Sequence, residues 1–326
     1  MFTDEDVRYH LPETVPYNWA ETSFFYFYVP KANIIGLFYI VARPGVGTMI
    51  NEIEIWSEMS DDLLRASYID TQQNLPMPER FEKFSLPNGT SYEAKGIRSY
   101  RIDHVGSYDT ELHLDVVGLM PPYDIHDPEM DPLALPHEDS AVASGVGASF
   151  SAHFDMTTRV TGTIKVRGRS YDVDCIATMD HSFGVRSERG GHPMAWINAN
   201  FSETHAFHAI WKFFPDRPID QQYELVHGYA LIDGKVRGAK GGRMIARHLG
   251  RVAVSYEMTI IDCDDVEHRM YGTATASHTL QPYGYVTVPV TLTRWHKGDQ
   301  IGWGHSQEVY LLHKQSGLHL DEKGSE

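Results

Sequence analysis

Apolar and polar positions along this chain alternate with a period of two far more often than with the 3.6 of a helix. Glu111-Leu112-His113-Leu114-Asp115-Val116 alternates strictly, and Asn51 to Ser57 sets polar positions against Ile53 and Ile55. Such alternation predicts half-buried strands, because successive side chains leave a strand on opposite faces. Runs rich in β-branched and aromatic residues recur at Ser23 to Val29, Ile34 to Ala42, Arg159 to Val166, Val252 to Ile261, Tyr285 to Trp295 and Gln307 to Leu312,. Between strand-like runs sit Pro87-Asn88-Gly89, Arg167-Gly168-Arg169, Ile232-Asp233-Gly234-Lys235 and Lys297-Gly298-Asp299. These are residue types that accept positive φ in a hairpin. Many short strands joined by such turns predict an all-β sandwich or barrel. One helical turn is expected over Ser60 to Ala66, with Ser60 as N-cap and acids in its first turn,.

Gly118 to Gly147 breaks the strand pattern with prolines, acids and small residues. A loop of this length predicts a lid, a wrapping arm or a crossing connection. Strand density resumes near Phe150, and a turn-rich divide falls at Ser187 to Pro193. The 326 residues suit two units of ordinary domain size,. The expected division is an N-terminal domain over 1–190, carrying the loop 118–147, and a C-terminal domain over 191–326.

A hydrophobic content of 42% and a charged content of 22% are those of a chain with a full core,. The net charge of -16 argues against a nucleic-acid partner, which needs a basic patch to displace counterions,. The densest basic stretch, Arg237, Lys240, Arg243 and Arg247, is modest. Met1 to Tyr17 lacks a basic segment followed by an apolar one, and no 18-residue apolar run exists. The expectation is a cytoplasmic protein without membrane insertion. Cys175 and Cys263 form no CxxC pair and read as two reduced, buried thiols,.

Familiar cofactor motifs fail. Gly238-Ala239-Lys240-Gly241-Gly242-Arg243 lacks the Gly-Lys-Ser/Thr ending of a phosphate loop, and Gly145-Val146-Gly147 lacks the third glycine of a dinucleotide site,. No Gly-x-Ser-x-Gly elbow occurs,. The 18 histidines show no His-x-His or His-Glu-x-x-His spacing. The expectation is therefore no cofactor and no metal, while a three-ligand site assembled from distant strands stays open.

One segment concentrates chemistry. Ile176-Ala177-Thr178-Met179 reads as a strand end, and Asp180, His181, Gly184 and Arg186 follow within one short turn. A carboxylate beside an imidazole can tune a proton transfer near neutral pH. Arg186 can hold Asp180 ionised, or can simply clamp the turn. Local chemistry weighs the clamp and the catalytic site equally. Past this segment, strand periodicity puts Trp196, Asn198 and Asn200 on one face. It puts His205, Phe207, Ala209 and Trp211 on a face of the next strand, opposite His208 and Ile210,.

The stretch from His153 to Arg186 resembles the region that ends in Asp-His-Ser/Asn-Trp-Gly-x-Arg in bacterial AttH-like and hydroxyneurosporene-synthase-like (carotenoid hydratase) proteins. Gly162-Thr163-Ile164 and Gly168 precede the signature as in similar sequences, and Phe183 stands where the pattern has Trp. Gly302-Trp303-Gly304-His305 to Glu308 resembles the glycine-rich closing strand of such proteins. The resemblance implies two lipocalin-like (calycin) antiparallel β-barrels packed together, with a ligand pocket in or between them. Relatives include carotenoid hydratases, natural-product cyclases of the Diels–Alderase kind, and proteins near terpenoid, steroid or aromatic degradation.

The expected function is a cofactor-independent lyase or isomerase acting by acid–base catalysis on a hydrophobic terpenoid or aromatic small molecule. Asp180, His181, Arg186 and His205 are the expected catalytic residues. Tyr26, Tyr28, Phe183, Trp196, Asn198, Phe207 and Trp211 are the expected substrate contacts. A homodimer is compatible with the sequence, which does not set the oligomeric state. The competing reading is a non-catalytic lipocalin-like carrier of a hydrophobic ligand.

Overall fold

The computed structural model describes residues 2–135, 152–186, 193–282, 284 and 286–312. Strands β1 (Trp19–Val29), β2 (Ile34–Arg43), β3 (Thr48–Trp56), β4 (Tyr68–Pro76), β5 (Lys83–Ser85), β6 (Thr90–Gly96), β7 (Ser99–Val105), β8 (Glu111–Gly118), β9 (Tyr123–Asp124), β10 (Ala152–Val166) and β11 (Arg169–Val185) form one antiparallel sheet. Its order is β4-β3-β2-β1-β11-β10-β8-β7-β6-β5, with β9 also on β10. Strands β12 (Met194–Ser202), β13 (His205–Phe213), β14 (Tyr223–Ile232), β15 (Lys235–Leu249), β16 (Val252–Asp262), β17 (Glu267–Leu280), β18 (Val286–Lys297) and β19 (Gln300–Leu311) close into a barrel. The all-β expectation holds: one unit is a closed barrel and the other a sheet curled into a half-barrel.

Turn chemistry sets these registers. Arg167 (φ 47°) and Gly168 (φ 81°) make the two-residue turn between β10 and β11, which then pair in continuous register from Val166↔Arg169 to Ala152↔Phe183,. The barrel closes where β19 pairs with β12. A Cβ on Gly304 would stand 1.8 Å from the Asn198 carbonyl oxygen, so the seam requires glycine there,.

The central strands of the first sheet bury side chains on both faces. On the inner face, Phe25 and Phe38 of β1 and β2 meet Tyr92 of β6, and Phe25 also meets Tyr100 of β7, so aromatic side chains bridge the two arms. The outer face of the same strands lies against the barrel. This is why every interior position of β1 is buried. The barrel has its own core around Phe207, Trp211, Met258 and Trp295.

Several contacts join sheet to barrel. Asn33 donates to the carbonyls of Ser57 and Thr275, and Ser60 bonds to Ser277 through backbone and side chain. Tyr123 donates to the Gly228 carbonyl, and buried Asp131 pairs with His227 at 2.6 Å. Tyr123 and Asp131 belong to the loop expected over 118–147. Up to residue 135 that loop crosses onto the barrel, while its remainder and the divide at 187–192 lie outside the described residues.

Three expectations are corrected here. The turn over Ser60 to Ala66 is a 3-10 turn at Leu63–Arg65 capped by Asp62, whose side chain accepts from the Leu64 N–H. The polar positions of β3 do not face water: Glu52 and Glu54 are buried because the barrel covers that face, and Glu54 pairs with His278 of β17 at 2.6 Å. Cys263 is exposed, since it falls in the turn after β16, whereas Cys175 is buried.

Candidate functional site

Asp180 to Val185 is strand, not turn. Strand β11 runs without interruption from Arg169 to Val185. Alternation therefore sends Asp180 and His181 to opposite faces, so the acid does not orient the imidazole. Asp180 is on the barrel-facing side. His181 points into the half-barrel among Ser23, Phe81, Tyr92, Tyr100 and Phe154, which pack closely around it. Burial, with the nearby His10 adding to it, lowers the His181 pKa to about 3,. Phe183 shares this inner face and stacks on His10 with ring centroids 3.5 Å apart.

On the barrel-facing side a single transverse row crosses the sheet. Successive pairings place Glu52 opposite Tyr39, Tyr39 opposite Phe24, Phe24 opposite Asp180, and Asp180 opposite Asp155. Three carboxyls thus share one row on a largely apolar sheet. Their environments differ sharply.

Asp155 is fully buried and fully partnered. His153 Nε2 lies 3.0 Å and His208 Nε2 3.1 Å from its Oδ2, and the Trp196 indole N–H donates to Oδ1 at 2.9 Å. Burial alone would raise its pKa, but the two imidazoles outweigh it and hold the carboxyl well below the usual carboxylate range,. His153 responds in kind. Burial opposes its charge, yet the Asp155 carboxylate raises its pKa above the ordinary value.

Asp180 lacks such partners. Burial pushes it up to about 7, the nearby Asp155 charge adds to this, and His153 and Arg186 oppose it. Desolvation therefore wins over the Arg186 guanidinium. Asp180 keeps partial exposure while Met179, His181, Asp155 and Phe24 around it are buried. Tyr39 and Arg186 are half-buried as well, and the Arg186 Nη1 donates to the Tyr39 hydroxyl at 3.1 Å. Glu52, at the far end of the row, is pushed to about 8 by burial and the charge of Glu54.

The expected contacts are not brought together in one place. Tyr26 and Asn198 meet at the junction, where the Tyr26 hydroxyl donates to Asn198 and accepts from Asn200 Nδ2 at 2.9 Å. Trp196 belongs to the same junction through Asp155. Tyr28 donates to the Ile176 carbonyl and lines a cleft of about 270 Å³ with Asn200, Trp303 and Arg159, away from Asp180. Phe207 and Trp211 instead pack in the barrel's own core. His205 shares their side of β13, beside Phe201 and Phe207, and is not brought to Asp180. The face of β13 turned to the sheet carries His208.

Of the cluster around Asp155, sequence reasoning missed His153, Asp155 and the role of His208. The signal for the first two was present. A His-x-Asp spacing on a strand puts both side chains on one face, but β10 starts at Ala152, seven residues before the strand-like run recognised in the sequence,.

No curated protein matches the chain in sequence. Solved structures share its fold at low identity. A putative AttH from Nitrosomonas europaea is 13% identical, with a TM-score of 0.57 over 89% of this chain and 91% of that one. CghA is 10% identical, with a TM-score of 0.56 over 90% and 88%. Kievitone hydratase from Nectria haematococca is 9% identical, with a TM-score of 0.52 over 92% and 90%. The expected AttH-like fold is therefore shown along nearly the whole chain, and with residues 3–309 matching its family model the chain belongs to the family described as Domain of unknown function (DUF7064).

Proposed function

We propose that this protein is a lyase-type enzyme that adds water to, or removes it from, a hydrophobic terpenoid or aromatic molecule held at the sheet–barrel junction. The observation that carries the reading is the split between two facing carboxyls, with Asp155 held ionised and Asp180 at about 7. Two titratable groups pushed apart by their surroundings are the usual arrangement of an acid–base site. Kievitone hydratase, named for such a reaction, shares the fold.

In hydration, protonated Asp180 donates its proton to one carbon of a double bond. Water attacks the other carbon, and the proton it releases returns to Asp180, so the net change is addition of one water. Loss of water runs the same steps backwards. Asp155 stays an anion and fixes His153 beside the reacting acid. Arg186 and Tyr39, joined by a hydrogen bond, stand on the same side of the sheet, and Phe24 supplies an apolar wall. His181 has no place in this scheme because it faces the other side of the sheet.

The test uses lipophilic alkenes and tertiary or benzylic alcohols incubated in H2(18)O, read by mass spectrometry. Wild type should incorporate or exchange one oxygen, and Asp180→Asn should slow this by roughly 10²-fold or more, the usual contribution of a positioned acid. If substrates bind and oxygen exchange is the same in wild type, Asp180→Asn and buffer, the protein is a carrier and the reading fails.

A further inference from the structure

The inner face of the sheet, opposite the carboxyl row, carries a second cluster. His10 lies on the segment preceding β1, Glu21 on β1 and His181 on β11. One nitrogen or carboxylate oxygen from each lies within 4.8 Å of the others. His10 Nδ1 stands 2.8 Å and His181 Nε2 3.7 Å from the same atom, Glu21 Oε1. We propose that His10, Glu21 and His181 form a binding site for a divalent transition-metal ion, zinc by the chemistry of its donors.

Four observations converge on it. First, ligands on a tetrahedral zinc at about 2.0–2.1 Å stand roughly 3.3 Å apart, and the two separations here bracket that value. Second, each imidazole has its other nitrogen occupied as an outer-shell partner would occupy it. His10 Nε2 is 3.2 Å from Asp6 Oδ1, and His181 Nδ1 is 3.0 Å from Ser23 Oγ. Such contacts fix the tautomer and plane of a metal-bound histidine. Third, the nitrogen left over on buried His181, Nε2, has no hydrogen-bond partner and is turned toward Glu21. An orphaned buried nitrogen is costly unless something fills its lone pair. Fourth, the stack of His10 on Phe183 holds the ring in place, and the His10 backbone N–H binds Glu21 Oε2.

Two imidazoles and one carboxylate suit zinc or a neighbouring transition metal, not calcium or magnesium, which take oxygen ligands. Three protein donors leave one position for water. Glu21 is wholly buried, so a dication beside it would compensate its charge,. His10 is partly exposed and gives the ion a way in. Bound metal would tie the N-terminal segment across β1 and β11. This site is on the other face from Asp180 and stands or falls independently of the catalytic reading.

The experiment uses the full chain stripped with EDTA and dialysed. Zinc chloride is titrated calorimetrically, thermal unfolding is followed with and without it, and Co²⁺ serves as a visible probe. Wild type should bind one more equivalent than His10→Ala, and its Tm should rise by about 5 °C at a hundredfold excess over Kd. Co²⁺ should give the intense visible bands of a four-coordinate site in wild type only. Asp6→Asn, which keeps all three ligands, should weaken zinc by roughly 10–100-fold. Equal zinc stoichiometry and equal Tm rise in wild type and His10→Ala would overturn the proposal. So would Co²⁺ bands that are absent from wild type or unaltered in His10→Ala.

Discussion

Asp155 and Asp180 stand directly opposite each other across β10 and β11, on the face of the sheet that the barrel covers. Like charges so close oppose each other's ionisation, and the fold resolves the conflict by giving all the partners to one of them. Asp155 receives two imidazoles and an indole N–H, while Asp180, partly exposed, has no such set. Their surroundings thus hold Asp155 well below the usual carboxylate range and push Asp180 up to about 7,.

Removing the Asp155 charge should cost much more than a surface substitution. Asp155→Asn leaves His153, His208 and Trp196 without their shared anion in a dry interface. Breaking a buried charge pair from one side costs about 3–5 kcal/mol. Urea unfolding followed by tryptophan fluorescence should show that loss. Because the folded pKa of Asp155 is depressed, its contribution is present above about pH 4 and disappears as pH falls through the folded value,.

Asp180 behaves in the opposite sense. Its folded pKa of about 7 lies above the unfolded value, so stability should decline as pH rises from about 4 and level off above about 7,. Asp180→Asn removes this penalty. The variant should gain on wild type by up to about 4 kcal/mol at pH 8, less the part that solvent screens, and by close to nothing at pH 4. Paired thermal melts at the two pH values measure it. A variant that loses more stability at pH 8 than at pH 4 would contradict the assignment.

The Trp196 indole does two jobs, as packed ring and as donor to Asp155. Trp196→Phe keeps most of the apolar burial and deletes a hydrogen bond to a charged acceptor, worth about 1.5–3 kcal/mol. The expected loss is therefore in that range, and it should shrink when measured in the Asp155→Asn background. Additive losses would show that the indole N–H does not serve Asp155.

Much of the fold was legible because strands and hairpins are local. The alternation of Glu111 to Val116 and the φ-positive turn at Arg167-Gly168 needed no tertiary information. The signature at Asp180 lies within a strand and not in a turn. Gly184 suggested a turn, yet it takes a positive φ of 146° within β11 and leaves the strand intact. Glu52 and Glu54 looked like solvent positions since sequence alone cannot show that a barrel covers that face. Strand periodicity puts His208 with Ile210 on the face opposite Phe207, and it is that face which lies against the sheet, because apolar Phe207 and Trp211 fill the barrel.

The most direct measurement of the central claim is a pH titration of the protein with ¹³Cγ-labelled aspartate, read by NMR in wild type and Asp180→Asn. One carboxyl should titrate near pH 7 in wild type and vanish in the variant, while another, lost in Asp155→Asn, should stay ionised down to the acid limit of the fold. Aspartates that all titrate below pH 5, with no resonance moving near pH 7, would contradict the account.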